Sequence, residues 1–115
     1  MELEQLYGEI DNARNTTVLV EGPNDKRSLE KLGFTNVIHL HGPLYQMVEL
    51  VEEEDEILVL TDLDMHGRKL YKYFYDELTR RGVKVNNRLR LMLFQTPVRQ
   101  IEGLANYLRR MEMVM

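Results

Sequence analysis

Ile57-Leu58-Val59-Leu60-Thr61-Asp62-Leu63-Asp64-Met65-His66-Gly67 is the stretch whose reading decides the fold. Four apolar residues in a row, without polar alternation, mark a strand covered on both faces. Strands of that kind belong to parallel sheets wrapped by helices. The run stops at a pair of carboxylates, and Asp64 suits the N-cap of a long helix from Met65 to about Arg81. Gly82 ends that helix, and Val83 and Val85 flank Lys84 in a short fourth strand.

Working upstream, the acidic run Glu52 to Glu56 reads as a solvated helix end. Before it, Leu44, Met47, Val48 and Val51 form the apolar stripe of a helix. Val37 to Leu40 reads as a strand closed by His41-Gly42-Pro43. Thr16 to Val20 is a β-branched run of strand length ending at Glu21-Gly22-Pro23, after which a helix starts near Pro23 or Asn24 and stops at Gly33. Leu3, Leu6, Tyr7 and Ile10 give an amphipathic helix over about residues 1–14. Downstream, residues 87–95 fit two patterns: Leu89, Leu91 and Leu93 alternate, whereas Leu89, Met92 and Leu93 suit a helix, which is preferred for want of a turn signal. Thr96-Pro97 predicts the cap and first turn of a last helix through Arg110. Alternating elements of these lengths imply an α/β domain with a mostly parallel four-stranded sheet.

Composition bounds the function. The 115 residues carry 15 Lys/Arg and 19 Asp/Glu, for a net charge of −4, and contain no cysteine. One domain spanning 1–115 is expected, with a core over about 16–85 and a C-terminal helical extension over about 87–111. Disulfides, thiol chemistry and thiolate metal sites are excluded. No apolar run approaches the ~20 residues of a membrane span, and the acidic start lacks signal-peptide character, so a cytoplasmic protein without membrane contact is expected. The charge is unevenly divided: residues 1–64 hold 15 acids and 4 bases, while residues 65–115 hold 4 acids and 11 bases. A basic face beside an acidic pocket, or a mere segregation undone by folding, are the two readings of that division.

In open parallel sheets, sites collect beyond the carboxyl ends of the strands. Glu21 ends the first strand, and Asp62 and Asp64 end the third. If those strands are neighbours, three carboxylates meet on one rim, and their repulsion calls for a hard cation. Mg²⁺ takes oxygen ligands and is held by one or two carboxylates plus substrate phosphates. A calcium loop is excluded, because its twelfth position would be Tyr73 in place of a bidentate Glu.

The segments Val18-Leu19-Val20-Glu21-Gly22-Pro23-Asn24-Asp25 and Leu58-Val59-Leu60-Thr61-Asp62-Leu63-Asp64-Met65-His66-Gly67-Arg68, about forty residues apart, together resemble the Toprim domain of primases, topoisomerases and several nucleases. The likeness covers roughly Thr16 to Val85, and Gly42 also fits. In size the chain is similar to small stand-alone Toprim proteins of archaea and bacteria, related to primase-like proteins and ribosomal-RNA maturase nucleases. The Ile101-Glu102-Gly103-Leu104 segment looks like their tail. The resemblance implies a Rossmann-like three-layer sandwich, Mg²⁺ (with Mn²⁺ as a substitute) and phosphodiester chemistry on RNA or DNA. It also implies Glu21, Asp62 and Asp64 as metal ligands and catalytic groups, with Glu21 a general acid/base. By the same resemblance, Gly22 and Gly67 permit tight turns beside substrate phosphates. Asp25 matches a commonly acidic position and equally suits a helix start.

Around that site, Arg68, Lys69 and Lys72 follow the Asp pair on one helix, where Arg68 and Lys72 share a face that could engage a phosphate backbone. Phe74 reads as core, and Tyr71 and Tyr75 as packing before base stacking. Of His39, His41 and His66, only His66 lies within a motif. Strand passage and complete primer synthesis, which in the resembling families need a tyrosine-bearing domain or zinc-binding and polymerase-core regions, are not expected of the isolated chain. Three functions are then weighed: an Mg²⁺-dependent nuclease, a non-catalytic metal-dependent nucleic-acid or ribonucleoprotein module, and a receiver-like domain. The last fails for want of an acidic pair after the first strand and a lysine after a late one. Oligomeric state and the choice between RNA and DNA stay open.

Overall fold

The apolar runs pair edge to edge in the structure, a computed structural model that describes residues 1–114. Strands β1 (Thr17–Val20), β2 (Val37–His39), β3 (Glu56–Val59) and β4 (Lys84–Val85) form one sheet in the order β2-β1-β3-β4. All three pairings are parallel. Around the sheet lie α1 (Leu3–Ala13), α2 (Pro23–Lys31), α3 (Leu44–Val51), α4 (Met65–Arg80), α5 (Arg88–Leu93) and α6 (Leu104–Met113), the last entered through a 3-10 turn, Ile101–Gly103.

Period-two alternation along the central strands divides the core into two halves. Val18, Val20, Leu58 and Leu60 pack with Leu6, Ile10, Leu29, Leu93 and Leu104, from α1, α2, α5 and α6. Leu19, Ile57 and Val59 pack with Met47, Val48, Phe74 and Leu78, from α3 and α4. The result is the expected three-layer α/β sandwich, with Phe74 in its core. Every β1 residue is buried, which explains why the strand has no polar face to display.

The strand order sets the site. The chain leaves β1 for β2 on one side, then returns past β1 to lay down β3 on the other. This reversal opens a crevice at the carboxyl ends of β1 and β3. Leu19 stands opposite Val59, and the Leu60 N–H donates to the Leu19 carbonyl at 2.8 Å, so the two strands run in step to their last residues. Glu21 and Asp62 follow directly.

Two boundaries differ from expectation. Glu56 does not close a solvated helix end; it opens β3, and its carboxylate accepts a 2.9 Å hydrogen bond from the Asn86 side chain. The last helix does not start at Thr96-Pro97. Thr96 Oγ1 instead donates to the Leu93 carbonyl at 2.7 Å and accepts from the Val98 N–H at 3.1 Å, closing the preceding helix. Residues 98–101 are then drawn along the end of β3: the Leu63 N–H donates to the Arg99 carbonyl at 2.8 Å, and the Ile101 N–H to Asp62 Oδ1 at 2.9 Å. Helical structure resumes only at Ile101.

Residues 87–95 adopt the helical alternative. Leu89 and Leu93 are buried, whereas Leu91 is 55% exposed. On a strand these three leucines would share one face. Leu89→Ala is therefore expected to cost about 3 kcal/mol of unfolding free energy, while Leu91→Ala stays within about 0.5 kcal/mol of the parent in urea titrations. Equal losses would contradict the helical placement.

Candidate metal centre

Beyond the last ladder bond of β3 the backbone has no strand partner, yet Thr61 is fully buried. Its polar groups are met one by one. Thr61 Oγ1 donates to the Gly67 carbonyl at 2.6 Å, and Arg90 Nη1 donates to the Thr61 carbonyl at 2.6 Å. Arg90 Nη2 reaches the Asp62 carbonyl at 3.1 Å. Arg90 is only 3% exposed, and its guanidinium lies 4.5 Å from the Tyr71 ring centroid and 5.7 Å from that of Phe94. Burial lowers its pKa, with Tyr71 and Glu21 acting in the opposite sense.

So fixed, the loop points the Asp62 N–H at Glu21, whose Oε2 accepts it at 2.6 Å. This bond ties the ends of β1 and β3 together and sets the two acidic loops side by side. Asp62 Oδ1 accepts the Ile101 N–H at 2.9 Å, and Asp64 Oδ1 accepts the Gly67 N–H at 2.8 Å as the N-cap of α4. Each of these three carboxylates thus holds one backbone N–H through one oxygen. Glu21 Oε1 has His66 Nε2 at 3.9 Å, the single contact that brings a motif histidine to the acids. Among the described residues, no group of three His, Asp or Glu side chains is gathered tightly enough to hold an ion at once. Glu21, Asp62 and Asp64 thus do not form one direct three-ligand cluster here, and Asp64 Oδ1 is engaged at the start of its own helix.

The electrostatics nevertheless register a shared site. Burial raises the Glu21 pKa, as do the charges of Asp62 and Asp64, against the Asp62 N–H and His66. Burial likewise raises that of Asp62, reinforced by Asp64 and Glu102 and opposed by the Ile101 N–H and Arg90. Asp25, only 7% exposed, is pushed up to about 6 by burial and then by Asp62, Glu102 and Glu21, despite accepting the Gly22 N–H at 3.0 Å. It serves the helix start and the acidic cluster together. An all-oxygen, mutually repelling donor set of this kind fits a hard divalent cation, which needs only one or two protein carboxylates and keeps its waters.

The two glycines, for which the resemblance implies turns beside substrate phosphates, differ in their surroundings. A Cβ on Gly67 would lie 1.9 Å from the Asp62 carbonyl oxygen, so the start of α4 presses directly on the acidic loop. Its N–H is taken by Asp64 and its carbonyl by Thr61. Gly22 has ordinary extended backbone, and a Cβ there would meet only Asp25 Oδ2, at 3.8 Å. Of the expected phosphate contacts, Lys72 is bonded to Asp76 at 2.8 Å, while Arg68 and Lys69 are exposed and form no ion pair among the described residues. Much of the basic surplus of the second half is neutralised across halves, as Arg88 pairs with Glu9, Arg81 with Glu52 and Lys84 with Glu56.

Sequence reasoning passed over Arg90 and the reach of Ile101. A signal for Arg90 existed: on a helix it falls beside Leu89 and Leu93 on the inward face, where a charge needs a reason. Nothing in the sequence around Ile101 marks its N–H as a partner for a side chain thirty-nine positions upstream.

Parallel strands in this order, with acids beyond two adjacent strand ends, define an α/β domain of the nucleotide- and metal-handling type. The family model of the Toprim domain matches residues 16–92, and the chain belongs to that family. It is 38% identical over 105 residues to a UPF0292 protein of Methanocaldococcus jannaschii, covering 85% of this chain and 82% of the relative. A UPF0292 protein of Pyrococcus abyssi is 37% identical over 108 residues, covering 87% and 82%. A solved structure of a protein from Aquifex aeolicus aligns with a TM-score of 0.78 at 31% identity, covering 89% of this chain and 97% of that one. Toprim domains have metal-dependent, nucleic-acid-related functions and generally bind a divalent ion, typically Mg²⁺. No helix among the described residues is long and apolar enough to cross a membrane.

Two outcomes follow for stability. Gly67→Ala is expected to cost about 3 kcal/mol or more, because backbone on both sides must move, whereas Gly22→Ala stays within about 0.5 kcal/mol in the same thermal unfolding series. For Asp25, the folded pKa of about 6 exceeds the ordinary value of 3.8, so between about pH 4 and 6 the native state holds a proton that the unfolded chain has released. Its contribution to stability is present below about pH 4 and is lost as pH rises through about 6. Asp25→Asn should therefore melt higher than the parent at pH 7 and converge with it near pH 4; a variant melting lower at pH 7 contradicts this sign.

Proposed function

We propose that the protein carries out Mg²⁺-dependent cleavage of phosphodiester bonds in nucleic acid, with Mn²⁺ as a substitute ion. The observation that carries the reading is the 2.6 Å bond from the Asp62 N–H to Glu21 Oε2, which couples the two acidic loops at the sheet's crevice. Glu21, Asp62 and Asp64 are the residues that would hold the ion, each with one carboxylate oxygen engaged by a backbone N–H. A bound Mg²⁺ supplies Lewis acidity at a phosphoryl oxygen and lowers the pKa of a coordinated water.

The chain's own residues supply the rest. Arg68 and Lys69, exposed on the first turns of α4 and without ion pairs among the described residues, would bind the substrate backbone. Glu21, with a pKa raised by burial and like charges, is suited to accept or return a proton near its Oε1. Gly67 and Arg90 position the Asp62 backbone in this reading. A second reading, a non-catalytic metal-dependent nucleic-acid or ribonucleoprotein module, draws support from the carboxylates' failure to gather into one direct cluster.

A divalent-ion titration followed by a cleavage screen on structured RNA, single-stranded DNA and duplex DNA separates the two. Cleavage is expected with Mg²⁺ or Mn²⁺ and not in chelator, falling by about 100-fold or more in Asp62→Asn and Glu21→Gln. Asp64→Asn is informative because asparagine caps a helix as well as aspartate does, so a loss there reports on the ion and not on α4. Salt-sensitive binding without turnover on every substrate class would replace the nuclease reading with the second one.

A further inference from the structure

Beside the Asp62 loop, a cleft of about 180 Å³ opens between α4 and α5, lined by Arg68, Tyr71, Asn87, Arg90, Leu91 and Phe94. No carboxylate lines it, and two guanidinium groups do. Arg90 lies between the two rings, while Arg68 stands over Phe94 at 5.1 Å from its centroid. Arg68 is exposed, and its side chain makes no hydrogen bond or ion pair among the described residues. Leu91, 55% exposed, is an apolar side chain lining the same cleft.

We propose that this cleft is a subsite for one unpaired nucleobase of a single strand, stacked on Phe94, with Arg68 moving from the ring to the adjoining phosphate. The inference rests on the nucleic-acid reading above and adds where a base is held. Three observations support it. The volume is below the roughly 300–1,000 Å³ of sites for drug-sized ligands, and suits a single planar ring. Aromatic faces give sequence-tolerant stacking, and the exposed Arg68 guanidinium, which makes no ion pair among the described residues, selects an occupant that carries negative charge next to its flat apolar part. That combination describes a nucleotide and disfavours a neutral apolar peptide side chain. Finally, the same Arg90 that lines the cleft donates to the Thr61 and Asp62 carbonyls at 2.6 and 3.1 Å. A base seated there is held at a fixed offset from the acidic loop.

The test uses the full chain in chelator, so that no cleavage intervenes. Wild-type protein is titrated into a single strand carrying one 2-aminopurine, whose emission is expected to fall on stacking. A strand of the same length made abasic at and around that position keeps its phosphates and is expected to bind about 10-fold more weakly. The chain contains no tryptophan, so Phe94→Trp introduces a single emitter, which the normal strand should quench and the abasic strand should not. Leu91→Glu, at an exposed position, should weaken binding of the normal strand by about 10-fold while leaving the melting temperature unchanged. Quenching by a mononucleotide at matching affinity would assign the subsite to free nucleotides in place of strands and overturn the proposal as stated. Equal affinity for normal and abasic strands, with no change in emission, overturns it outright. Quenching without any Mg²⁺-dependent cleavage would keep the subsite and remove the chemistry; cleavage without quenching would do the reverse.

Discussion

A buried guanidinium holds the acidic rim in place. Arg90 has no carboxylate bonded to it; its donors go to the carbonyls of Thr61 and Asp62, and its faces to Tyr71 and Phe94. Those carbonyls lie where the chain has left the ladder of β3, and buried without a partner each would cost about 1–3 kcal/mol. Taking a cation out of water is costly as well. The two costs offset each other: strand-end carbonyls need donors, and a desolvated arginine has five. Once they are joined, the direction of the next peptide is set, and the Asp62 N–H faces Glu21 across the gap between β1 and β3.

Gly67 makes the same arrangement unavoidable from the other side. The first turn of α4 approaches the Asp62 carbonyl so closely that any side chain would collide with it. The acidic loop is therefore clamped between the start of α4 and the guanidinium from α5, and latched by the Ile101 N–H to Asp62 Oδ1. Three segments distant in sequence converge on one residue whose own carboxylate keeps a free oxygen. Such over-determination is what holds a site in a geometry that its charges oppose.

The strands were legible because their burial on both faces leaves an unbroken apolar run, and the acids because they sit where those runs end. Adjacency of β1 and β3, a condition in the sequence, is supplied by the strand pairing. The details that orient the acids were not legible, since they are long-range. Arg90 is counted in a sequence among eleven basic residues of the second half, and only its place beside Leu89 and Leu93 hints that it points inward. Thr96-Pro97 carries a genuine helix-start signal, but the hydroxyl is engaged by Leu93 and Val98 while the following residues are held to the loop after β3. Local preference of about 1 kcal/mol gives way to several tertiary hydrogen bonds. The uneven charge of the two halves also dissolves in part, through the pairs Glu9–Arg88, Glu52–Arg81 and Glu56–Lys84.

What is left unneutralised is then the more telling quantity. Carboxylates kept for structure usually end in ion pairs that hold their pKa down. Glu21, Asp25 and Asp62 are displaced upward, chiefly by burial and then by neighbouring carboxylates, Asp64 and Glu102 among them. A guanidinium is close enough to Asp62 to lower its pKa somewhat, yet its hydrogens are directed at carbonyls. The fold thus places a cation beside the acids and withholds it from them. The same arginine, over the rings of Tyr71 and Phe94, also forms part of the wall of the neighbouring cleft.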